Sequence, residues 1–554
     1  MHTANLLKLE TSCYEECRTL NKGTSSNDSQ SSMKNGKEMM GALCLPYERM
    51  GDEQMLAELK QANNYTTTEN GAMTYQSTMS ACLDLFATIG ALRHAHETEI
   101  TARFIRAYAE NADIAMKILF FARDIREGLG ERRVFRTILH KLAFTHPESV
   151  KKNLPLIAEY GRFDDLLNCL DTPCEEAALT YLFEQFQADQ QRLANGEAIS
   201  LLAKWLPSIN ASNAQTIKWA KKMARFFQLS DKEYRQNLSA MRKSLHLIEN
   251  HLREQDYSFD YAKQPSRAMF KYRKAFLRND ASSYKTFLEQ VKSGQKKMNT
   301  SQVMPYEVVQ QGLDLLAPRR YFWEDDPEVI VDVAQKELLN TIWEQLPNVE
   351  TTEDTLAVID TSGSMYFDLQ QPIPASVALS LGLYFAQHNQ GAFRNHFIQF
   401  SRKPELIEIK GQTFMDQLEY LATFNEVANT NLEGVFDLIL QTALEYELPQ
   451  TALPAKLVII SDMEFDACVD NHEVTNFEYA KQKFASFGYT LPKIVFWNVA
   501  SRNNQQPVTQ NEAGVYLVSG VTPKIFELVV SDALNPYQFM MEVVESPRYQ
   551  QITA

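Results

Sequence analysis

One aspartate and two serines at alternate positions follow a short apolar run in the second half of the chain. The run is Leu356-Ala-Val-Ile, and the polar residues after it are Asp360, Ser362 and Ser364. A carboxylate with two hydroxyls is a set of hard oxygen donors, which suits Mg²⁺ or Mn²⁺ better than Zn²⁺. The spacing therefore predicts a metal site at the end of this run.

Two further oxygen donors stand in comparable places along the chain. Asp462 follows the apolar run Lys456-Leu-Val-Ile-Ile-Ser461, and Thr430 comes just before an amphipathic segment over 432–447. Continuous apolar runs are typical of strands buried on both faces of a parallel sheet, and ligands bind beyond the carboxyl ends of such strands. We therefore expect one metal site made of Asp360, Ser362, Ser364, Thr430 and Asp462.

The segments around these residues alternate between strand-like and helix-like patterns. Strands are predicted near 355–360, 394–400, 456–461, 493–499 and 514–518, and helices near 372–389, 411–423, 431–447, 475–487 and 522–533. Such alternation is typical of a parallel, doubly wound α/β sheet of the Rossmann-like kind. We assign this α/β domain to residues 352–540 and a C-terminal tail to 541–554.

The preceding part of the chain has a helical pattern. Leu179, Leu182, Phe183 and Phe186 recur at helical spacing, and Gly or Pro interrupts the pattern every one or two helices. This predicts an all-α, HEAT-like helical-repeat domain over 76–347. Residues 1–75 contain few structure signals and a polar stretch at 21–38, so we expect a flexible polar arm.

Charge is distributed unevenly in this acidic chain, whose net charge is -15. Residues 201–300 hold 20 Lys and Arg against 8 Asp and Glu, whereas 301–554 hold 14 against 34. A basic middle segment favours contact with a polyanion. Two stripes at helical spacing supply the candidate contacts: Lys218, Lys221, Lys222 and Arg225, then Arg267, Lys271, Lys274 and Arg278.

Aromatic residues are interleaved with the second stripe. Phe270, Tyr272 and Phe276 offer surfaces on which bases could stack. The alternative is that the cations form a solvated helix face and the aromatics belong to the core. Both interpretations stay open at this stage, and we predict nucleic-acid contacts at the two stripes.

Familiar enzyme motifs do not fit the acidic and hydroxyl residues. Asp360 lacks the Gly or Asp two positions later that an aspartic protease or a haloacid-type phosphatase needs, and Ser362 lacks the flanking glycines of a nucleophile elbow. The sequence also contains no Walker loop and no HExxH. Because hydroxyl ligands leave no evident general base, we expect a non-catalytic protein rather than a metal hydrolase.

The expected compartment is the cytoplasm, without a membrane partner. No apolar run approaches the ~18 residues that a spanning helix needs, and the first ten residues lack the apolar core of a signal peptide. The seven cysteines are scattered and odd in number, which argues against a disulfide framework or a zinc ribbon.

The five donor residues together resemble the metal-ion-dependent adhesion site of von Willebrand factor A domains. The resemblance implies that Ser362, Ser364 and Thr430 ligate the cation and that the two aspartates hold it mostly through water. Related sites often place Gly or Asp beside the threonine, where this chain has Asn429 and Asn431.

Wider segments resemble a family of two-domain proteins known only as a domain of unknown function, DUF2828. In the C-terminal part the likeness lies in Ser461-Asp-Met-Glu-Phe-Asp466, Gly488-Tyr489, Pro492-Lys-Ile-Val-Phe-Trp-Asn498 and Val518-Ser-Gly520. The N-terminal half of that family is similar to the TROVE domain of the Ro ribonucleoprotein autoantigen. Segments 122–136, 159–167 and 202–207 carry this second likeness.

The Ro resemblance implies a helical platform that closes into a ring, with the A domain sealed against its ends and single-stranded RNA ends in a basic hole. We therefore expect an RNA-binding, Ro-like ribonucleoprotein component with a divalent cation. The alternative is a protein-interaction module in which the cation captures an acidic residue of a partner protein.

Overall fold

The computed structural model describes most of the chain from residue 63 onward. The described residues are 55–56, 59–60, 63–316, 332–348, 353–367, 372–400, 403–424, 430–467, 474–528 and 534–554. Residues 1–64 and 65–554 form separate compact units, and the fold described below is that of the second.

Short helices make up the first part of this unit. They are α1 (Ala81–Thr88), α2 (Glu97–Glu110), α3 (Ala112–Arg123), α4 (Arg133–Thr145), α5 (Pro147–Lys152), α6 (Leu154–Tyr160), α7 (Glu175–Ala194), α8 (Leu202–Trp205), α9 (Ala214–Phe226), α10 (Asp231–Ser244), α11 (Ile248–Glu254), α12 (Ser266–Asn279), α13 (Ala281–Lys292), α14 (Pro305–Leu316) and α15 (Val333–Glu344). The prediction of a helical N-terminal part is confirmed.

Helix α10 shows how the sequence specifies these elements. Ser230 accepts a hydrogen bond from the amide of Glu233, whose carboxylate accepts one from the amide of Ser230. This capping box satisfies two amides that the first turn leaves unpaired. Tyr234, Leu238 and Met241, at helical spacing, are buried and hold the helix against its neighbours.

The second part is an α/β layer around a six-stranded sheet. Its strands are β3 (Thr355–Ile359), β4 (His396–Gln399), β5 (Glu405–Glu408), β6 (Lys456–Ser461), β7 (Lys493–Asn498) and β8 (Val515–Ser519), in the order β5-β4-β3-β6-β7-β8. Its helices are α16 (Ser364–Phe367), α17 (Pro374–His388), α18 (Phe414–Leu421), α19 (Leu432–Glu445), α20 (Asn476–Ser486), α21 (Ile525–Leu528) and α22 (Pro536–Val544). An α/β part is thus confirmed.

The sheet is mixed rather than wholly parallel, because β5 pairs antiparallel with β4. The prediction missed β5, since Glu405, Leu406 and Glu408 are exposed and only Ile407 gives a buried signal. An edge strand with one polar face lacks the continuous apolar run that marks the central strands. The prediction also missed α22; part of the helix expected at 522–533 lies outside the described residues, and 525–528 is helical.

The α/β part packs on both ends of the helical part. At one end, Gly90 approaches β8 so closely that a Cβ there would lie 2.5 Å from the carbonyl oxygen of Ser519. At the other end, Trp343 donates to Gln387 Oε1 at 2.8 Å, and α14 packs on α17. Both ends of the helical part therefore pack against the strands and helices of the α/β part.

Two segments depart from the expected domain boundaries. Within the expected arm, β1 (Tyr65–Thr67) and β2 (Met73–Tyr75) form an antiparallel hairpin whose Thr68 hydroxyl donates to the Phe465 carbonyl at 2.6 Å. Within the expected tail, Arg548 binds Asp124, with one Nη2 to Oδ1 distance of 2.9 Å. Both segments are packed parts of the unit, and the arm at 1–54 lies outside the described residues.

None of the helices in the described ranges is long and apolar enough to cross a membrane.

Candidate functional site

The two predicted aspartates lie side by side at the carboxyl edge of the sheet. Strands β3 and β6 are parallel neighbours, with Ile359 paired to Ile460, so Asp360 and Asp462 each follow a strand end at the same edge. The amide of Asp360 donates to the Ile460 carbonyl at 3.0 Å. Both side chains are buried, with 0% and 3% of their surface exposed.

The two serines complete a compact group of oxygens with these acids. The Ser362 and Ser364 hydroxyl oxygens lie 3.0 Å apart, and the Ser362 amide donates to Asp360 Oδ1 at 2.9 Å. Ser364 begins the short helix α16, which turns the chain away from the sheet directly after β3. Alternate spacing places both hydroxyls on the same side of this turn.

Thr430 lies on the adjoining loop, one residue before the Asn431 cap of α19. It is buried, and its carbonyl accepts from the amide of Asp466 at 3.0 Å. The charge of Asp466 is one of the causes that raise the pKa of Asp360. The loop of Thr430 therefore borders the group formed by Asp360, Ser362, Ser364 and Asp462, which we call the oxygen cluster. Asn429 lies outside the described residues.

Burial dominates the electrostatics of the oxygen cluster. It raises the pKa of Asp360, although hydrogen bonds from Ser461 and Ser362 act in the opposite direction. Burial and then the charge of Asp360 raise the pKa of Asp462 to about 6, while Arg502 lowers it. Two neighbouring buried carboxylates are costly unless a cation neutralises them. A divalent cation would favour the ionised form of both.

Several neighbours of the oxygen cluster escaped the sequence reasoning. Arg502 Nη2 lies 2.9 Å from Asp462 Oδ2, and Ser461 Oγ donates to Asp360 Oδ2 at 2.5 Å. Glu464 is 1% exposed and accepts from the amide of Glu69 at 2.8 Å. The β1–β2 hairpin covers this loop, and no local pattern in the sequence indicates the contact.

The donor set fits a hard cation rather than a nitrogen or sulfur site. The described residues contain no group of three or more His, Cys, Asp or Glu that could hold a metal ion. The oxygen cluster therefore depends on its two hydroxyls as much as on its two carboxylates. Neutral and anionic oxygens of this kind suit Mg²⁺ or Mn²⁺.

The first basic stripe lies on α9 but is partly neutralised. Lys222 Nζ lies 2.6 Å from both Asp171 and Glu175, and Lys218 Nζ lies 3.1 Å from Asp171. Lys221 and Arg225 have no side-chain partner among the residues that the structure describes. Only half of this stripe is therefore free to contact an anion.

The second stripe lies on α12 and also has internal partners. Arg267 pairs with Glu307, Arg278 donates to Asn279 at 3.3 Å, and Lys271 lies 4.9 Å from the ring centre of Tyr272. A hydrogen bond from Gln335 is the main cause that lowers the pKa of Asp332, and the charge of Lys274 adds to it. The stripe is exposed at its cations but is not a row of unpaired charges.

The aromatic residues of α12 were expected either to stack on bases or to belong to the core, and they differ in burial. Phe276 is 0% exposed and packs against Tyr261 and Tyr284, so its suggested role as a stacking surface is wrong. Phe270 and Tyr272 are partly buried, and Arg273 covers the Phe270 ring at 4.3 Å. The amphipathic pattern does not distinguish a core aromatic from a stacking one, because both lie at helical spacing.

Comparison with known families separates the two parts of the chain. The model of DUF2828, a domain of unknown function, matches residues 68–181 and 212–351, and that of DUF7788, also a domain of unknown function, matches 354–546. The DUF2828 match supports the likeness to that family over 68–181 and 212–351, whereas the C-terminal segments that were assigned to the same likeness lie within the DUF7788 match. The von Willebrand factor A assignment stays an interpretation of the sheet and the oxygen cluster.

Two individual proteins are similar to this chain. The uncharacterized protein L728 of Acanthamoeba polyphaga mimivirus is 29% identical over 520 residues, which are 87% of this chain and 87% of that protein. The crystal structure of the Deinococcus radiodurans RO (RSR) protein superimposes with a TM-score of 0.39 and 15% identity, covering 83% of this chain and 92% of that one.

Proposed function

We propose that this protein is a non-catalytic, cytoplasmic binding protein that holds a divalent cation in its α/β part and RNA on its helical part. The observation that carries the cation assignment is the convergence of Asp360, Ser362, Ser364 and Asp462 within one cluster at the carboxyl edge of the sheet. Ligands of doubly wound sheets bind at this edge.

The oxygen cluster would hold Mg²⁺ or Mn²⁺ through the hydroxyls of Ser362 and Ser364, with Thr430 on the bordering loop as a third hydroxyl. The aspartates supply the negative charge that a divalent cation needs. A bound cation provides a coordination position that an anionic group can occupy. On the protein side, Gly363 and Ser364 are partly exposed, so this position opens to the surface.

The RNA assignment rests on the excess of Lys and Arg over 201–300, which stands out in an acidic chain. Helices α9 and α12 display exposed cations, of which Lys221 and Arg225 keep their charge unpaired within the described ranges. Phosphate contacts of this kind supply affinity without base discrimination.

A second candidate function is metal-dependent capture of an acidic residue of a partner protein. The partial exposure of Ser364 favours it, because a partner carboxylate could reach the cation. In that case the helical part is a scaffold and the cation is the recognition element. The two candidates differ in their response to chelation, since phosphate contacts on α9 need no cation.

A filter-binding assay with purified full-length protein and single-stranded RNA of mixed sequence tests the proposal. We expect retention at low salt that falls steeply as salt rises, because counterion release drives phosphate binding. Undetectable retention at low salt would refute the RNA assignment. A pull-down from lysate that is abolished by a chelator, with no RNA retained, would favour the protein-capture function.

A further inference from the structure

We infer that a basic groove along α10 and α11 holds successive phosphates of the RNA; the inference rests on the RNA-binding function proposed above. The groove has a cavity volume of about 950 Å³ and lies apart from the two predicted stripes. Its charged lining, which we use to define the α10–α11 groove, consists of Lys232, Arg235, Arg242, Lys243, His246, His251, Arg253 and Glu254.

The charge of the groove is strongly one-sided. Five Lys or Arg side chains line it against one carboxylate, that of Glu254. Glu254 pairs with Arg253 at 2.9 Å, but both side chains are largely exposed, and such surface pairs exchange readily with other partners. The neighbouring His251 binds Asp256 at 3.0 Å. A negatively charged ligand would therefore be repelled by only one carboxylate in the lining of the groove, that of Glu254.

Three cations of α10 are poised for an external partner. Lys232, Arg235 and Lys243 are exposed. Within the described part of the chain, Lys232 and Lys243 have no side-chain partner, and Arg235 has one long contact of 3.5 Å to Asn210. This differs from α9, where two of four cations are already bound by carboxylates.

A fourth cation of α10, Arg242, forms hydrogen bonds within the protein and holds one wall of the groove in place. The Arg242 guanidinium donates to the carbonyl oxygens of Ala203 and Leu206 and to the Ser208 hydroxyl, each at 2.8 Å. These bonds tie the segment before α9 to α10. The shape of the groove is thus fixed by half-buried hydrogen bonds that connect its two sides.

The length of the row favours a polymer of phosphates over a single anion. Lys232 and Lys243 are eleven residues apart on one helix, which corresponds to about 16 Å at 1.5 Å per residue. Consecutive phosphates of a single strand could therefore engage more than one cation of this row. A lone phosphate or carboxylate would engage only one or two of these cations.

The uncharged lining indicates what kind of contact the groove makes. Ser208, Asn210, Gln236, Ser239 and Asn250 offer hydroxyl and amide groups suited to phosphate and sugar oxygens. None of the lining residues is a Phe, Tyr or Trp, and the rings that line the groove are the imidazoles of His246 and His251. Stacking on such rings does not distinguish one base from another, because every base has a π-face. We therefore expect binding that is independent of base sequence.

The test compares two full-length triple variants in fluorescence anisotropy with a labelled single-stranded RNA of mixed sequence. The groove variant carries Lys232→Glu, Arg235→Glu and Lys243→Glu. The matched control carries Lys141→Glu, Lys285→Glu and Lys297→Glu, which change net charge equally at exposed sites without side-chain partners in the described residues. Thermal unfolding of both variants checks that the fold is retained.

We expect the groove variant to flatten the dependence of log affinity on log salt by about 2 units, since each lost single-strand contact contributes about 0.7. The control should keep the parent slope. Equal losses in both variants, or a parent slope in the groove variant, would refute the groove while leaving RNA binding intact. A parent that binds no RNA would instead refute the proposed function.

Competition separates nucleic acid from an acidic peptide as the occupant. Unlabelled RNA should displace the probe from the parent protein at a far lower concentration than polyglutamate does, when both concentrations are expressed as moles of negative charge. Equal displacement by the two polymers would refute the assignment to nucleic acid, because the groove would then recognise negative charge alone.

Discussion

At the carboxyl edge of the sheet, four predicted donors lie beside one another, whereas on α9 two of four predicted cations are held by Asp171 and Glu175. The donors of the oxygen cluster were identified by their positions after strand-like runs. The cations of α9 were identified by their helical spacing. The oxygen cluster is positioned by parallel strands, whose ends meet at one edge. The α9 stripe is positioned by one helix, and the facing segment decides whether its charges are free.

The comparison shows which kind of sequence pattern carries functional information. An acid directly after a buried strand is constrained by sheet topology, so its neighbours across the edge can be inferred. A cation on an exposed helix face is constrained only within its own helix. The α10–α11 groove also depends on packing between segments, since one wall comes from the residues before α9 and the other from α10 and α11.

Removal of Asp360 should have the largest effect. We expect Asp360→Ala to abolish stabilisation by Mg²⁺, which for the parent amounts to about 2.7 kcal/mol at a concentration one hundred times Kd. Thermal unfolding with and without Mg²⁺ measures the difference. The variant Asp416→Ala removes an exposed carboxylate of the same part and should respond to Mg²⁺ like the parent. Equal metal-induced shifts in Asp360→Ala and the parent would contradict the cation site.

The free half of the α9 stripe should have the next largest effect. Lys221→Glu with Arg225→Glu should flatten the salt dependence of RNA binding by about 1.4 units. Reversal of all four cations, if each contacted phosphate, would give roughly twice that change. Lys218→Gln with Lys222→Gln is the informative counterpart, because these lysines already neutralise Asp171 and Glu175. A larger loss in this second pair than in the first would show that the ion pairs open on binding.

Arg502 offers a smaller test of the oxygen cluster. Its guanidinium lies 2.9 Å from Asp462 and would repel a cation bound there. Arg502→Gln should therefore tighten Mg²⁺ binding by roughly three- to tenfold, a modest change because 40% of the side chain is exposed and screened. Calorimetric titration measures it. Lys493→Gln, equally exposed at the start of β7, is the control and should leave Mg²⁺ affinity unchanged.

Asp171 gives the smallest expected effect and tests the neutralisation of α9 directly. Hydrogen bonds from Lys222 and then Lys218 lower the pKa of this carboxyl to about 2. Because the folded value lies below the unfolded one, the contribution to stability is present above pH ~3.8 and is lost as pH falls toward 2. NMR titration should show the pKa of Asp171 rising in Lys222→Ala. An unchanged value would mean that Lys222 does not hold this carboxylate in solution.

Much of the fold could be predicted because the central elements have strong local patterns. Strands β3 and β6 are continuous apolar runs, and Leu179, Leu182 and Phe186 lie buried at the expected helical spacing on α7. The elements that escaped prediction have weak patterns. Strand β5 has one buried residue, and the β1–β2 hairpin follows a polar arm from which composition does not separate it.

The sequence alone indicated that Asp360 and Asp462 follow apolar, strand-like runs and that Ser362 and Ser364 stand at alternate positions after Asp360, because these placements depend on local periodicity. The tertiary structure set the strand order that brings β3 beside β6. It also decided what surrounds these residues. It placed Arg502 on Asp462 and the hairpin over Glu464, and it matched Lys218 and Lys222 with Asp171. Such pairings join residues 40 or more positions apart, and whether a charge is free or paired depends on the packing of helices and loops against one another.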